Sequence, residues 1–154
     1  MGDASAARKI RILVVDDHPI VRDALAELLS YESDMVVTAK AGDAAETMKA
    51  IKKQQFDLAI VDMMLKDTTG IEITKKIKAL YPDMVVMIFS MSDKPEYIKG
   101  AFEAGAIGYI TKDEVSEKIT YAIRQVLRGK TYLSKGLIQN ISKDGLDGLW
   151  AGKA

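Results

Sequence analysis

The stretch ILVVDDHPIVRDAL, residues 12–25, decides how this chain folds. Four apolar residues, Ile12 to Val15, run straight into two neighbouring carboxylates, Asp16 and Asp17. His18 and Pro19 follow, then a segment in which Val21, Ala24, Leu25, Leu28 and Leu29 share one helical stripe. An unbroken β-branched run is the pattern of a strand buried on both faces, as in a parallel sheet. Pro19 fits the first turn of a helix, where its missing N–H costs nothing. The two carboxylates therefore stand where a buried strand ends and a helix begins. Either they are turn residues, or they hold something positively charged.

The same alternation continues along the chain. Further strand-like runs are Met35–Thr38, Leu58–Val61, Val85–Phe89 and Gly108–Thr111. Between and after them lie helical stripes: Ala44, Ala45, Met48 and Ile51; a less regular Ile71, Ile73, Ile77 and Leu80; Ile98, Ala101 and Phe102; and Val115, Ile119, Ala122, Ile123 and Val126. Pro95 suits a helix start and Gly129 a helix stop. The order is (βα) five times. Right-handed crossovers then give an α/β fold, a doubly wound five-stranded parallel sheet with helices on both faces.

Composition narrows the function. At 154 residues the chain accommodates one well-buried domain. Lys+Arg and Asp+Glu both number 22, and a zero net charge argues against a broad nucleic-acid surface. With no cysteine, disulfides and thiolate metal sites are excluded, which fits a cytoplasmic location. No apolar run approaches a membrane span. The opening MGDASAARK lacks the apolar core of a signal peptide, and residues 1–8 read as a short disordered lead.

In doubly wound sheets the functional crevice lies at the carboxyl ends of the strands. Asp16 and Asp17 follow strand one, Asp62 ends strand three, Ser90 ends strand four and Lys112 ends strand five. Taken singly, each has an ordinary explanation. Asp17 could cap the first helix, Ser90 could be a turn hydroxyl, Lys112 a solvated lysine and Tyr109 a core residue. Together they do not. Three carboxylates about 5 Å apart repel by roughly 3 kcal/mol per pair at an effective dielectric near 20. A hard divalent cation with oxygen ligands removes that cost, and Mg²⁺ suits a few carboxylates plus waters and a phosphate.

These positions resemble a two-component response regulator receiver domain of the flavodoxin-like, CheY-like fold. The resemblance covers Lys9 to about Leu127, and AGAIGYITKD, residues 104–113, carries much of it. GKTYLS, residues 129–134, is similar to the post-receiver segment of the NarL/FixJ class, which often carries a helix-turn-helix output domain. The resemblance implies strand order 2-1-3-4-5 and a receiver at residues 9–129. It implies that Asp62 accepts a phosphoryl group from a sensor histidine kinase or phosphotransfer protein. Asp17 and Asp16 would hold Mg²⁺ (or Mn²⁺) together with Asp62 and the backbone carbonyl of Met64. Lys112 would pair with the phosphoryl oxygens. Ser90 would swing towards the phosphoryl group, Tyr109 would move inward behind it, and the face of the fourth helix, fifth strand and fifth helix would shift. Such a protein is a signalling switch rather than an enzyme. A homodimer through that face, or through the first and fifth helices, would fit the family.

The chain departs from the family pattern in places. Lys66 stands where many receivers have proline, and Thr69 precedes Gly70 where an Asp is common. Met64 and Ser92 flank the site, leaving the phosphoryl lifetime open. His18, the sole histidine, reads as a helix-start residue, and Met63, Met64, Met84, Met87 and Met91 as adaptable packing. Residues 130–154 are too few for a helix-turn-helix module and show no basic recognition helix, so no direct nucleic-acid binding is expected. Ser134–Ser142 could form a short helix capped by Ser134, with DGLDGLWAGKA as a flexible tail. The rivals fit less well. A flavodoxin-like cofactor binder needs a phosphate loop where DDHP would repel phosphate. An Asp-nucleophile phosphatase usually carries Asp-x-Asp at the first strand. A degenerate receiver, acting by interaction alone, would not need all five positions.

Overall fold

Residues 8–142 are described in this computed structural model. Within them, β1 (Ile10–Val15), α1 (Pro19–Ser30), β2 (Met35–Ala41), α2 (Ala44–Lys53), β3 (Leu58–Asp62), α3 (Gly70–Leu80), β4 (Val85–Ser90), α4 (Pro95–Ala104), β5 (Gly108–Thr111), α5 (Val115–Leu127), β6 (Tyr132–Leu133) and α6 (Lys135–Ser142) follow in order. The strands form one sheet, β2-β1-β3-β4-β5-β6, and every pair is parallel. The expected order 2-1-3-4-5 is present. The expected count of five strands is corrected to six, because Tyr132 and Leu133 continue the main-chain ladder beside Gly108 and Tyr109. Beyond residue 129, β6 joins this sheet and Leu137 of α6 enters the core beneath it.

Side-chain alternation explains why the strands are apolar throughout. Leu13 and Val15 point into one core with Ile51, Ile73, Ile77, Ile98 and Phe102, beneath α2, α3 and α4. Ile12 and Val14 point the other way, to Leu25, Leu29, Ile119, Ile123 and Val126 beneath α1 and α5. The central strands β1, β3 and β4 thus have almost no solvent face, whereas the edge strand β2 is mostly half-buried. The irregular third stripe resolves locally: Ile73 and Ile77 are buried, Ile71 packs at the margin, and Leu80 is exposed.

Local chemistry sets the helix ends. Pro19 and Pro95 open α1 and α4. Asp43 caps α2 by accepting from Glu46 N–H at 2.8 Å, and Glu46 Oε1 accepts from Gly42 N–H in return. Gly105 ends α4 at φ 116°, a left-handed position that suits glycine. At the outer edge, β2 carries Lys40, which pairs with Asp23 at 2.9 Å. Of the expected disordered lead, Arg8 is described and donates to Asp57 at 2.7 Å. The rest of the lead and the expected flexible tail after Ser142 lie outside the described residues.

Candidate functional site

Sheet topology brings two neighbouring strand ends to one place. Asp16 and Asp17 follow β1, and Asp62 ends its neighbour β3. One oxygen from each carboxylate and a ring nitrogen of His18 all lie within 4.8 Å of one another. Asp16 is fully buried and Asp62 is 4% exposed. Asp16 Oδ1 accepts from its own turn, His18 N–H, at 2.8 Å. Arg22 donates to the Asp16 carbonyl, which fixes the turn to α1.

The capping explanation for Asp17 does not hold. His18, not Asp17, occupies the N-cap of α1, and no side chain caps that end. Asp17 Oδ1 is buried without a hydrogen-bond partner, as is Thr38 Oγ1 among the described side chains. His18 Nδ1 stands 2.9 Å from both Asp16 Oδ1 and Asp17 Oδ1, and its geometry makes a hydrogen bond with Asp16 alone. His18 is thus part of the acidic cluster and more than a helix-start residue. Its place directly after two aspartates was the available signal.

Lys112 reaches this cluster from the end of β5. Its Nζ lies 3.3 Å from Asp16 Oδ2 and 3.4 Å from Asp62 Oδ2. Its Nζ also lies over the ring of Phe89, 4.9 Å from the centroid. One ammonium does not balance three carboxylates. Burial first, then the charge of Asp16, push the Asp62 carboxyl up to about 6, against the pull of Lys112 and of a hydrogen bond from Met64 N–H.

The remaining predicted positions surround the cluster but are engaged elsewhere. Ser90 is buried, and its Oγ accepts from Ser92 N–H at 2.9 Å. Ser90 and Lys112 are joined through main chain, Lys112 N–H donating to Ser90 O at 2.9 Å. Tyr109, expected to move inward, is already fully buried, with its hydroxyl donating to Ser92 O at 3.0 Å. Burial pushes the Tyr109 hydroxyl up, partly offset by hydrogen bonding with Ser90. After Asp62, Met64 bridges Thr69 across a closed loop in which Leu65 N–H donates to Thr68 O. The loop closes with Lys66 in place of proline. Thr69 caps α3, accepting from Glu72 N–H at 3.2 Å, so it serves where an Asp is common. Met63, Met84 and Met87 pack inside, whereas Met64 and Met91 are exposed on the rim.

The cluster fits a hard divalent cation on its own chemistry. Its carboxylates offer oxygen donors, one buried oxygen lacks a hydrogen-bond partner, and the Asp62 carboxyl is raised by burial and then by the charge of Asp16. Beside it, an apolar groove of about 310 Å³ between α1 and α5 is lined by Ile20, Ala24, Leu28, Phe89 and Val115 and ends at Lys112.

Residues 12–124 match the response regulator receiver domain family. The chain belongs to that family. Receiver domains of this family are signalling switches of two-component systems. The receiver is 33% identical over 133 residues to the oxygen regulatory protein NreC of Staphylococcus epidermidis, covering 86% of this chain and 61% of that protein. It is 33% identical over 122 residues to an uncharacterized transcriptional regulatory protein, YxjL, of Bacillus subtilis, covering 79% and 56%. In solved structures it is similar to a LuxR-family two-component response regulator from Aurantimonas sp., with TM-score 0.84, 33% identity, and coverage of 88% of this chain and 97% of that one. The receiver's match thus spans about 61% of the first relative's length. Among the described residues, no helix is long and apolar enough to cross a membrane.

Proposed function

We propose that Asp62 is the phosphoacceptor of this receiver. The observation that carries the reading is the position of Lys112, whose ammonium stands between Asp16 and Asp62 at 3.3 and 3.4 Å. Phosphoryl transfer depends mainly on positioning and charge stabilisation. Asp62 supplies the attacking carboxylate oxygen and the new O–P bond, while the P–N bond to a phosphohistidine on a kinase or phosphotransfer partner breaks. Lys112 neutralises oxygen charge that Asp62 alone would repel. Asp17, Asp16, Asp62 and the carbonyl of Met64 would hold Mg²⁺ or Mn²⁺, which supplies the further positive charge the transferring group requires. The partner is offered the apolar groove between α1 and α5, which ends at Lys112.

The phosphoryl group adds about −1.5 to −2 charge, by analogy with other phosphoresidues. Ser90 turns its hydroxyl to that charge, and Tyr109 and the surface of α4, β5 and α5 follow. Two or three charge-assisted hydrogen bonds at roughly 1.5–3 kcal/mol each supply the ~5.5 kcal/mol that inverts a 1:99 equilibrium. The domain works in the cytoplasm as part of a transcription-regulating protein, a reading supported by the relative named as a transcriptional regulator.

Incubation with Mg²⁺ and acetyl phosphate, followed by intact mass measurement, tests the acceptor. A single phosphoryl adduct is expected, absent in Asp62→Asn and strongly reduced in Lys112→Ala. A folded, metal-binding protein without an adduct would leave an interaction-only receiver. Turnover of free phosphate esters would point instead to a phosphatase.

A further inference from the structure

The edge of β5 is covered by the chain's own next segment. After α5 the backbone turns at Gly129, whose φ of 83° suits glycine, and comes back alongside β5. Tyr132 N–H donates to Ile107 O at 2.9 Å, and Ser134 N–H to Tyr109 O at 3.1 Å. The next rung changes type: Thr111 N–H donates to the side-chain Oγ of Ser134 at 2.9 Å. Thr111 Oγ1 also donates to the Ser134 hydroxyl, at 3.3 Å. Glu114 takes two further bonds, from Tyr132 OH at 2.8 Å and Lys135 N–H at 3.3 Å. Leu133 and Leu137 enter the same core as Tyr109.

All of this lands on the strand that carries Tyr109 and Lys112. On its other side, Tyr109 is tied to Ser92 O, and Ser92 N–H to Ser90 Oγ. One line of contacts runs from Ser90 through Ser92 and Tyr109 to Leu133, with Leu137 in the same core. A second runs from Lys112 through Thr111 to Ser134. Between them a groove of about 500 Å³ is lined by Ser90, Met91, Lys112, Glu114, Gly136 and Leu137. The start of α6 is thus one wall of a space that opens onto two residues of the phosphoryl site.

We propose that the edge of β5 is a docking surface whose resting occupant is this chain's own segment Tyr132–Ser142, and that a phosphoryl group on Asp62 weakens its hold. The proposal rests on Asp62 being the acceptor. Turning Ser90 Oγ towards Asp62 takes it away from Ser92 N–H. Ser92 then no longer fixes the Tyr109 hydroxyl, and Tyr109 loosens against Leu133 and Leu137. Lys112 leaves its carboxylate pair for phosphoryl oxygens and draws the end of β5, with Thr111, away from Ser134. The coupling is reciprocal: whatever factor the phosphoryl group takes from segment binding, release of the segment returns to the phosphoryl site.

The test uses the full chain with Mg²⁺ and beryllium fluoride, a phosphoryl analogue, with fluorine NMR reporting the bound species and Asp62→Asn as its control. Hydrogen exchange at Tyr132 and Ser134 N–H is expected to rise on the order of tenfold over Mg²⁺ alone. Ser134→Ala, which removes one rung, and Leu137→Glu, which expels α6 from the core, should each lower the beryllium fluoride concentration at half-saturation. Unchanged exchange in the bound species, or variants that bind the analogue no better, overturns the docking proposal and leaves Asp62 as acceptor. Failure of the analogue to bind any chain overturns the acceptor reading and this proposal with it.

Discussion

Asp62 is the residue where stability and the proposed function pull apart. Its carboxyl is raised to about 6 by burial and by Asp16, so the folded state binds its proton more tightly than the unfolded state does. That contribution is complete below about pH 4 and is lost as pH rises through 6. Without divalent ions, ionisation of Asp62 costs the fold up to about 3 kcal/mol at pH 7.5. Asp62→Asn should therefore unfold at higher urea than the parent at pH 7.5 and at a similar concentration at pH 4. Equal midpoints at pH 7.5 would contradict the buried repulsion. The carboxylates, Ser90 and Lys112 are legible in the sequence because each follows an apolar run that can only be a buried strand. The engagement of Ser90 with Ser92, and of Tyr109 with Ser92 O, is not legible. Both depend on the path of a loop that carries no periodic signal.

Among the elements, α3 shows how the loop after Asp62 is held. Thr69 Oγ1 takes Glu72 N–H, and Gly70 N–H reaches Met63 O at 2.7 Å, so the helix start is tied to the residue after Asp62. A Cβ at Gly70 would lie 2.7 Å from Asp62 O, which leaves no room for any side chain there. Thr69→Ala should cost about 1 kcal/mol in urea unfolding. Thr69→Asp should recover it, since that carboxylate can accept the same bond; failure to recover would show that Thr69 acts by some route other than capping. Most elements could be read from hydrophobic spacing. β6 could not, because two residues offer no period and its bonds are main-chain. Gly129 reads as a helix stop, which it is, but nothing nearby announces that the chain then rejoins the sheet.

At the scale of the whole molecule, one sheet separates two cores that share strands but not side chains. Ile73→Val and Ile123→Val, one in each core, should cost roughly 0.5–1.5 kcal/mol apiece. The double variant should cost their sum within about 0.5 kcal/mol. A coupling well beyond that would mean that the sheet transmits packing strain between its faces. The doubly wound plan is visible in the sequence because strands apolar on both faces require it, whereas the sixth strand lies beyond the last stripe that reveals the plan.

The sheet has two margins, and they are unlike. At β2, Lys40 sets a charge beside the open ladder, which discourages another strand from joining there. At the other end the margin is β6, only two residues long, and it covers the edge of β5 as long as it stays in place. A molecule that lifts β6 bares a single receptive margin. Two such molecules can meet there about a twofold axis and satisfy each other, and the guarded margins at β2 offer a third nothing to join. On the proposal that phosphorylation frees β6, the released receiver would favour pairs over longer assemblies.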